Sequence, residues 1–164
     1  MIRFLYLLLL LLVTACNSGS KKIYLKDTSD TALKTQTSIK NSTYCFLRTE
    51  GTAGQDTSAI RLIVEGNKVT GSYFVLPYEK DSRTGTLAGT IQGDSIKAIW
   101  TFMQEGIQDT LGVAFKLSGN ALHQKPFSVN HETGRQFTSE TSQYLIQFNK
   151  TNCDKLPSAK KLTP

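Results

Sequence analysis

The sequence has few of the residues that mark disordered, fibrous or metal-binding chains. Only four of its 164 residues are proline and 20% are charged, which does not fit a collagen-like or a disordered chain. It has two histidines, His123 and His131, and neither has the paired partner that a zinc site needs. The length predicts one domain and leaves no room for two large ones.

Catalytic motifs are missing as well. No serine lies in a Gly-x-Ser-x-Gly sequence, and no helix follows the glycines to form a phosphate-binding loop. Glu105 and Asp109 flank Gly106 as a pair of carboxylates, as in a glycosidase, but Asp109 is explained more simply as a hairpin-turn residue. His131 and Glu132 lie in a polar stretch and are interpreted as ordinary exposed residues. We therefore predict a protein that is not an enzyme and that uses no metal or cofactor.

The first sixteen residues predict export. Residues 1–3 form a short, positively charged N-terminal segment. The apolar run 4–13, if helical, is long enough to span about half of a membrane hydrocarbon core of roughly 30 Å. This pattern is typical of a signal peptide rather than of a transmembrane helix. The sequence Val13-Thr14-Ala15-Cys16 resembles a bacterial lipobox, which implies a diacylglycerol on the Cys16 thiol and cleavage just before it. The alternative is an ordinary secretory signal, with Cys16 free or in a disulfide.

This interpretation divides the chain into four parts: a signal peptide at 1–15, lipidated Cys16 with a flexible tether to 42, a folded body at 43–153 and a disordered tail at 154–164. By resemblance to lipoproteins of two-membrane bacteria, Asn17 in place of aspartate favours the outer membrane, and the lack of an acidic run at 18–22 favours its periplasmic face. The net charge is +6, with several lysines in the two tails, and predicts solvated ends. A nucleic-acid partner is excluded by the compartment, and the membrane is the predicted partner through Cys16.

The body contains short strands separated by turn signals at regular spacing. Apolar residues alternate along most of them, as Ile60, Leu62 and Val64 do, which is typical of strands with one buried face. Gly66-Asn67 and Gly93-Asp94 are predicted to be two-residue hairpin turns. The stretch 126–141 is predicted to be a long polar loop. The eight predicted strands are 44–48, 59–65, 68–76, 85–92, 95–103, 109–117, 121–124 and 143–149.

Consecutive antiparallel strands leave two open edges, which closure of the first strand on the last would remove. With Cys16 lipidated, Cys45 on the first strand and Cys153 after the last form an even pair in an oxidising compartment. We predict a disulfide between Cys45 and Cys153 that ties these strands together; the alternative is two buried free thiols. The predicted fold is an all-β, eight-stranded antiparallel up-and-down barrel, and the alternative is a two-sheet β-sandwich.

The stretch Trp100-Thr101-Phe102-Met103-Gln104-Glu105-Gly106, together with the lipobox and the early and late cysteines, resembles small, uncharacterised lipoproteins of Bacteroidetes. The predicted meander also resembles the calycin-like barrels of the lipocalin group. The Gly-x-Trp sequence of lipocalins is absent near the first strand, because the one tryptophan is Trp100. The likeness is one of shape, which does not by itself imply function.

The interior of such a barrel either is filled by side chains or holds one small ligand. Gly85 and Gly89 on the fourth strand either leave room for a cavity or let neighbouring strands pack closer. We predict a membrane-anchored bacterial lipoprotein whose barrel binds a small or hydrophobic ligand in the cell envelope. The alternative is an accessory or inhibitor domain with a filled core that binds an envelope protein or a glycan. The candidate ligand-binding residues are Tyr73, Trp100, Phe102 and Phe115.

Overall fold

The computed structural model describes residues 41–157. The predicted signal peptide, Cys16, nearly all of the predicted tether and residues 158–164 of the predicted tail lie outside this range. Within it the chain forms ten β-strands and a 3-10 turn at Cys153–Lys155. The strands are β1 (Ser42–Glu50), β2 (Asp56–Glu65), β3 (Lys68–Leu76), β4 (Arg83–Gln92), β5 (Ser95–Gln104), β6 (Ile107–Ser118), β7 (Ala121–Gln124), β8 (Phe127–Val129), β9 (Gln136–Thr138) and β10 (Ile146–Lys150).

Eight of these strands close into one antiparallel barrel, in the order β1-β10-β7-β6-β5-β4-β3-β2. Barrel strands that follow one another along the chain are neighbours, and β10 closes the barrel on β1. The predicted up-and-down barrel is therefore confirmed, and the alternative of a two-sheet sandwich is wrong. Closure pairs both edge strands, so the barrel does not present the open edges of a flat sheet.

The local sequence explains why these segments form strands of a barrel. Along β2, Leu62 and Val64 are buried, whereas Arg61, which precedes Leu62, is exposed. One side of the strand therefore faces the interior of the barrel. Gly66 and Gly93 stand in the two-residue turns after β2 and β4, each with φ of +61°. Glycine adopts this left-handed conformation without a steric penalty, which lets both hairpins turn tightly.

The two ends of the barrel differ in the length of their loops. One end carries the tight turns at 66–67, 93–94 and 119–120, and we call it the closed end. The other end carries the loops at 51–55 and 77–82, the turn at 105–106 and the long connection at 125–145, and we call it the mouth. Because β1 starts at the closed end, the chain before Ser42 joins the barrel at the end opposite to the mouth.

The seam that closes the barrel is short. β10 pairs with β1 at Phe46 and Leu47, whereas β2 pairs with the whole of β1. A disulfide joins Cys45 to Cys153, whose Cα atoms are 5.1 Å apart, and the N–H of Thr151 donates to the Cys45 carbonyl at 2.8 Å. The predicted disulfide is confirmed, and it fastens the barrel beside its shortest hydrogen-bonded seam.

The stretch predicted to be a long polar loop contains a second, two-stranded sheet. β8 and β9 pair antiparallel, with Phe127 opposite Thr138. The turn between them is held by Asn130, whose side-chain oxygen accepts two backbone N–H bonds at 2.9 and 3.0 Å. We call residues 127–138 the β8–β9 hairpin. The last barrel strand starts at Ile146 rather than at 143, because its partner β7 ends at Gln124, which pairs with Ile146.

The glycines of β4 leave no cavity in the barrel interior. A Cβ added to Gly85 would lie 2.0 Å from the carbonyl oxygen of Thr101, and one added to Gly89 would lie 2.1 Å from that of Lys97. Both distances are far below van der Waals contact, so the backbone of β5 occupies the space that a side chain would need. Of the two interpretations of these small residues, close packing of neighbouring strands is the correct one.

Candidate functional site

The four aromatic residues predicted to face a ligand lie together in the barrel interior. Tyr73 and Trp100 have ring centroids 4.3 Å apart, Trp100 and Phe102 are separated by 4.4 Å, and Tyr73 meets Phe115 edge-on at 6.2 Å. Trp100 and Phe115 are fully buried, and the other two are nearly so. The rings therefore pack against one another as a core cluster that closes the barrel below the mouth.

A pocket of about 680 Å³ opens at the mouth, and we call it the mouth pocket. Small-molecule sites in proteins typically have volumes of about 300–1,000 Å³. Its floor consists of the buried residues Tyr73, Trp100, Gln124 and Phe148. Apolar wall residues are Val75, Pro77, Phe127 and Ile146. Its charged rim residues are Arg48, Glu50, Glu79, Lys80, Asp81 and Arg83.

Gln124 is a buried amide with one unpaired end. The residue is 0% exposed, and its Oε1 accepts a hydrogen bond from the Tyr73 hydroxyl at 2.9 Å. Its Nε2 has no hydrogen-bond partner among residues 41–157. A buried donor left unpaired costs about 1–3 kcal/mol, and such groups are rare in native structures. An occupant of the mouth pocket that carries an acceptor would remove this cost.

The hydrogen bonds of the floor determine which group is left free. Burial raises the pKa of Tyr73 well above its ordinary value, although the hydrogen bond to Gln124 opposes this shift. The hydroxyl therefore stays protonated and donates to Oε1 of Gln124. Nε1 of Trp100 donates to the backbone carbonyl of Tyr73 at 3.1 Å. With these groups engaged, Nε2 of Gln124 is the unpaired donor of the floor.

Two arginines at the mouth differ in their partners: one forms an ion pair with a carboxylate, and the other bonds to neutral amides. Arg48 forms an ion pair with Glu50. Arg83 instead donates from Nε to Oε1 of Gln104 and from Nη1 to Oε1 of Gln136, both at 2.6 Å. Among the ion pairs within residues 41–157, none involves Arg83. Its guanidinium is thus held in place by neutral amides while its charge remains unmatched.

The β8–β9 hairpin completes one side of the mouth pocket. The barrel wall is low there, because β7 ends at Gln124 and β10 begins at Ile146, whereas β6 continues up to Ile107. Phe127 and Gln136 of the hairpin line the pocket. The bond from Arg83 to Gln136 joins the hairpin to β4, so Arg83 belongs both to the pocket and to the contact that holds the hairpin.

A second pocket, of about 530 Å³, lies on the outside of the barrel between β9 and the outer faces of β4, β5 and β6. Two of its apolar side chains are well exposed, Ile99 by 51% and Phe137 by 44%. Lys97 pairs with Glu140 at 3.0 Å on its border, and the hydrogen bond and charge of Lys97 lower the pKa of Glu140. We call this pocket the outer groove.

The polar residues considered for catalysis or metal binding are distributed over β6, β7 and two turns. His123 lies on β7, whereas His131 and Glu132 lie in the turn between β8 and β9. Asp109 on β6 pairs with Arg135 at 3.0 Å. Across residues 41–157, no three His, Cys, Asp or Glu side chains converge in a way that could hold a metal ion. The same range holds no helix with the length and apolarity needed to cross a membrane.

Two of the four predicted site residues line the mouth pocket and two do not. Tyr73 and Trp100 line the mouth pocket, whereas Phe102 and Phe115 belong to the core outside its lining. Gln124 and Arg83, which also line this pocket, were not among the predicted site residues. The alternation of β7 could have identified Gln124 as an inward-facing residue. Leu122, two residues earlier on this strand, is buried, and residues two apart on a strand lie on the same face. No local signal marks Arg83, whose amide partners are 21 and 53 residues away.

Comparison with known proteins identifies no relative of this chain. No protein-family model matches the chain. Searches of curated proteins and of solved structures find no significant match either. The fold and the site define a closed eight-stranded β-barrel with a pocket of ligand size at its mouth.

Proposed function

We propose that the barrel binds a small, partly apolar ligand in the mouth pocket. The observation that carries the proposal is Gln124, a fully buried amide whose Nε2 is unpaired at the floor of this pocket. In a core that served stability alone, an apolar residue would be better at this position, because a buried unpaired donor destabilises the fold. The amide is explained if its partner is a ligand. This is a binding role without catalysis.

We also propose that the protein is a lipoprotein of the bacterial cell envelope, anchored through lipidated Cys16 at the periplasmic face of the outer membrane. The support is the lipobox at residues 13–16 after a signal-peptide pattern. Each buried methylene contributes about 0.8 kcal/mol, so two or three acyl chains anchor a protein effectively permanently.

Native mass spectrometry of the full chain, purified from membranes in a detergent of known mass, tests the binding proposal. We expect an extra mass that is neither the detergent nor the covalent lipid and that disappears on denaturation. Trp100 is the one tryptophan of the chain and lies on the pocket floor, so release of the ligand should change its fluorescence. A bare protein mass with no change in fluorescence would contradict the proposal.

A pair of matched variants locates the ligand within the molecule. Gln124→Met keeps an unbranched side chain of similar length and removes the free amide donor, so we expect the bound mass to be lost. Gln147→Met makes the same chemical change at an exposed position of β10 outside the mouth pocket, and it should retain the bound mass. Loss of the ligand in both variants, or in neither, would show that Gln124 does not hold it.

The anchor proposal is tested by Cys16→Ala. The variant lacks the thiol that the lipid would be attached to, so it should no longer undergo lipoprotein processing and should no longer carry a covalent lipid mass. The measurement is intact mass of the protein from fractionated membranes. Cys153→Ala, which removes a cysteine outside the lipobox, should retain the lipid mass. A Cys16→Ala protein that still carries the lipid would disprove the assignment of Cys16.

The alternative, an accessory domain that binds an envelope protein or a glycan, draws support from a different surface. The exposed apolar side chains of Ile99 and Phe137 lie together at the outer groove, and exposed apolar patches are typical of interaction sites. If native mass spectrometry finds no small ligand, replacement of Ile99 and Phe137 by Ser should abolish capture of a partner from envelope extracts. Binding that survives these changes would argue against the outer groove.

A further inference from the structure

We infer that the ligand of the mouth pocket is a small organic acid with an apolar body, and that Arg83 determines this specificity by binding its carboxylate. The inference rests on the proposed function and adds the chemical class of the ligand. It follows from the hydrogen-bond donors that the pocket leaves free, from the arginine at the mouth that forms no ion pair, and from the apolar walls.

Two hydrogen-bond donors of the mouth pocket are free, one on the floor and one at the rim. On the floor, Oε1 of Gln124 is used by Tyr73, and Nε2 of Gln124 is unpaired. At the rim, the side-chain oxygens of Gln104 and Gln136 accept from Arg83, whose Nη2 makes no hydrogen bond among residues 41–157. A ligand that satisfies both free groups must therefore bring acceptors, which a carboxylate does with two oxygens.

The charge at the mouth favours an acidic ligand at one particular arginine. Arg48 is already paired with Glu50, whereas Arg83 has only neutral amide partners in hydrogen bonds. Glu79 and Asp81 also line the rim, but both are exposed residues of the 77–82 loop, where solvent screens their charge. Arg83 is half-buried and therefore screened less. A carboxylate would accept a hydrogen bond from the free Nη2, and such a charge-assisted bond is stronger than one between neutral groups.

The guanidinium of Arg83 is also fixed in advance of binding. Besides its two bonds to glutamine oxygens, its central carbon lies 5.2 Å from the centroid of the Phe102 ring. A side chain restrained by three contacts loses little rotamer entropy when a ligand arrives. The apolar part of the ligand would then lie against the wall formed by Val75, Ile146 and Phe127.

The test compares three probes of equal chain length with different head groups: hexanoate, 1-hexanol and hexylamine. Each is titrated into the full chain and into empty detergent micelles as a blank, with calorimetry and Trp100 fluorescence as the two readouts. We expect hexanoate to bind about tenfold or more tightly than 1-hexanol, as a charge-assisted bond to arginine implies, and hexylamine to bind most weakly.

Variants at the two arginines connect the preference to one residue. Arg83→Gln should raise the Kd for hexanoate about tenfold or more and leave that for 1-hexanol nearly unchanged. Arg83→Lys keeps the charge and should restore part of the preference. Arg48→Gln removes a cation from the same rim, but one paired with Glu50, and should preserve the preference for hexanoate. Thermal unfolding of each variant shows whether the barrel remains folded.

The outcomes separate the two levels of the proposal. Equal binding of hexanoate and 1-hexanol, or tightest binding of hexylamine, would overturn the carboxylate class while supporting a ligand in the mouth pocket. A hexanoate preference that survives in folded Arg83→Gln would overturn the role of Arg83. If no probe binds and native mass spectrometry shows a bare protein, the proposed function fails, and the inference fails with it.

Discussion

Replacing Cys45 and Cys153 together with alanine is expected to lower the free energy of unfolding by about 5 kcal/mol, because the bridge spans a very long loop. The two cysteines are 108 residues apart in the sequence. In the chain-entropy account, a cross-link over about 100 residues removes loop-closure entropy from the unfolded chain equivalent to about 4.7 kcal/mol. Alanine is the better replacement, since Cys45 is 1% exposed and a serine there would bury a hydroxyl.

The position of the disulfide gives a second reason to expect a large loss. β10 pairs with β1 at Phe46 and Leu47, so the closing seam has few hydrogen bonds of its own. Without the bridge, β10 and the 3-10 turn at Cys153–Lys155 would separate from β1 more easily than any other pair of barrel neighbours. Local opening at the seam would then precede global unfolding.

Urea unfolding followed by Trp100 fluorescence measures the effect, because Trp100 is fully buried in the native barrel. Reductant should destabilise the wild type to the level of the double variant and leave the double variant unchanged. If the wild type instead unfolds at the same urea concentration with and without reductant, the seam does not depend on the bridge.

The barrel could be predicted because its strands are long enough for their pattern to be recognised. β2, β3, β5 and β6 have nine or more residues, and alternating burial over that length distinguishes a strand from a helix. Closure then followed from the cost of open edges and from a cysteine on the first strand and another after the last. Both features are properties of the sequence itself, so no knowledge of the packing was required.

The β8–β9 hairpin could not be predicted for the opposite reason. Each of its strands has three residues, which is too short for an alternating pattern to differ from chance. Its turn depends on Asn130 and on Gly134, which has φ of +69°, and its position depends on contacts with the finished barrel. The bond from Arg83 to Gln136 is one such contact, and it forms only once β4 has been placed at the mouth.

The mouth pocket was only partly predictable because it is assembled from many strands. Tyr73 and Trp100 were found as aromatic residues on inward-facing positions. The polar residues that give the pocket its chemistry lie far apart in the sequence, as Tyr73 and Gln124 do with a separation of 51 residues. A pattern within one strand reports which residues face inwards, but it does not report which of them remain without a partner.

Gly85→Ala is expected to lower the free energy of unfolding by about 3 kcal/mol or more, because the added methyl would collide with backbone rather than with a movable side chain. The new Cβ would lie 2.0 Å from the Thr101 carbonyl oxygen and 2.6 Å from Cα of Phe102. β5 would have to move away from β4, and the pairing between the two strands would weaken. Gly85 also lies between Tyr73 and Phe102 across three neighbouring strands, so the floor of the mouth pocket would be disturbed as well.

Gly112→Ala is the matched control for this variant. Gly112 lies on β6, which pairs with β5 on the side opposite to β4, and a Cβ added there would meet nothing within 4 Å. The change should therefore alter the free energy of unfolding by about 0.5 kcal/mol or less, or stabilise slightly by restricting the unfolded chain. Urea unfolding of the two variants beside the wild type gives the comparison. Equal stability of Gly85→Ala and Gly112→Ala would mean that the close approach of β4 and β5 is not required for stability. Gly85 would then lie beside free space in the barrel interior.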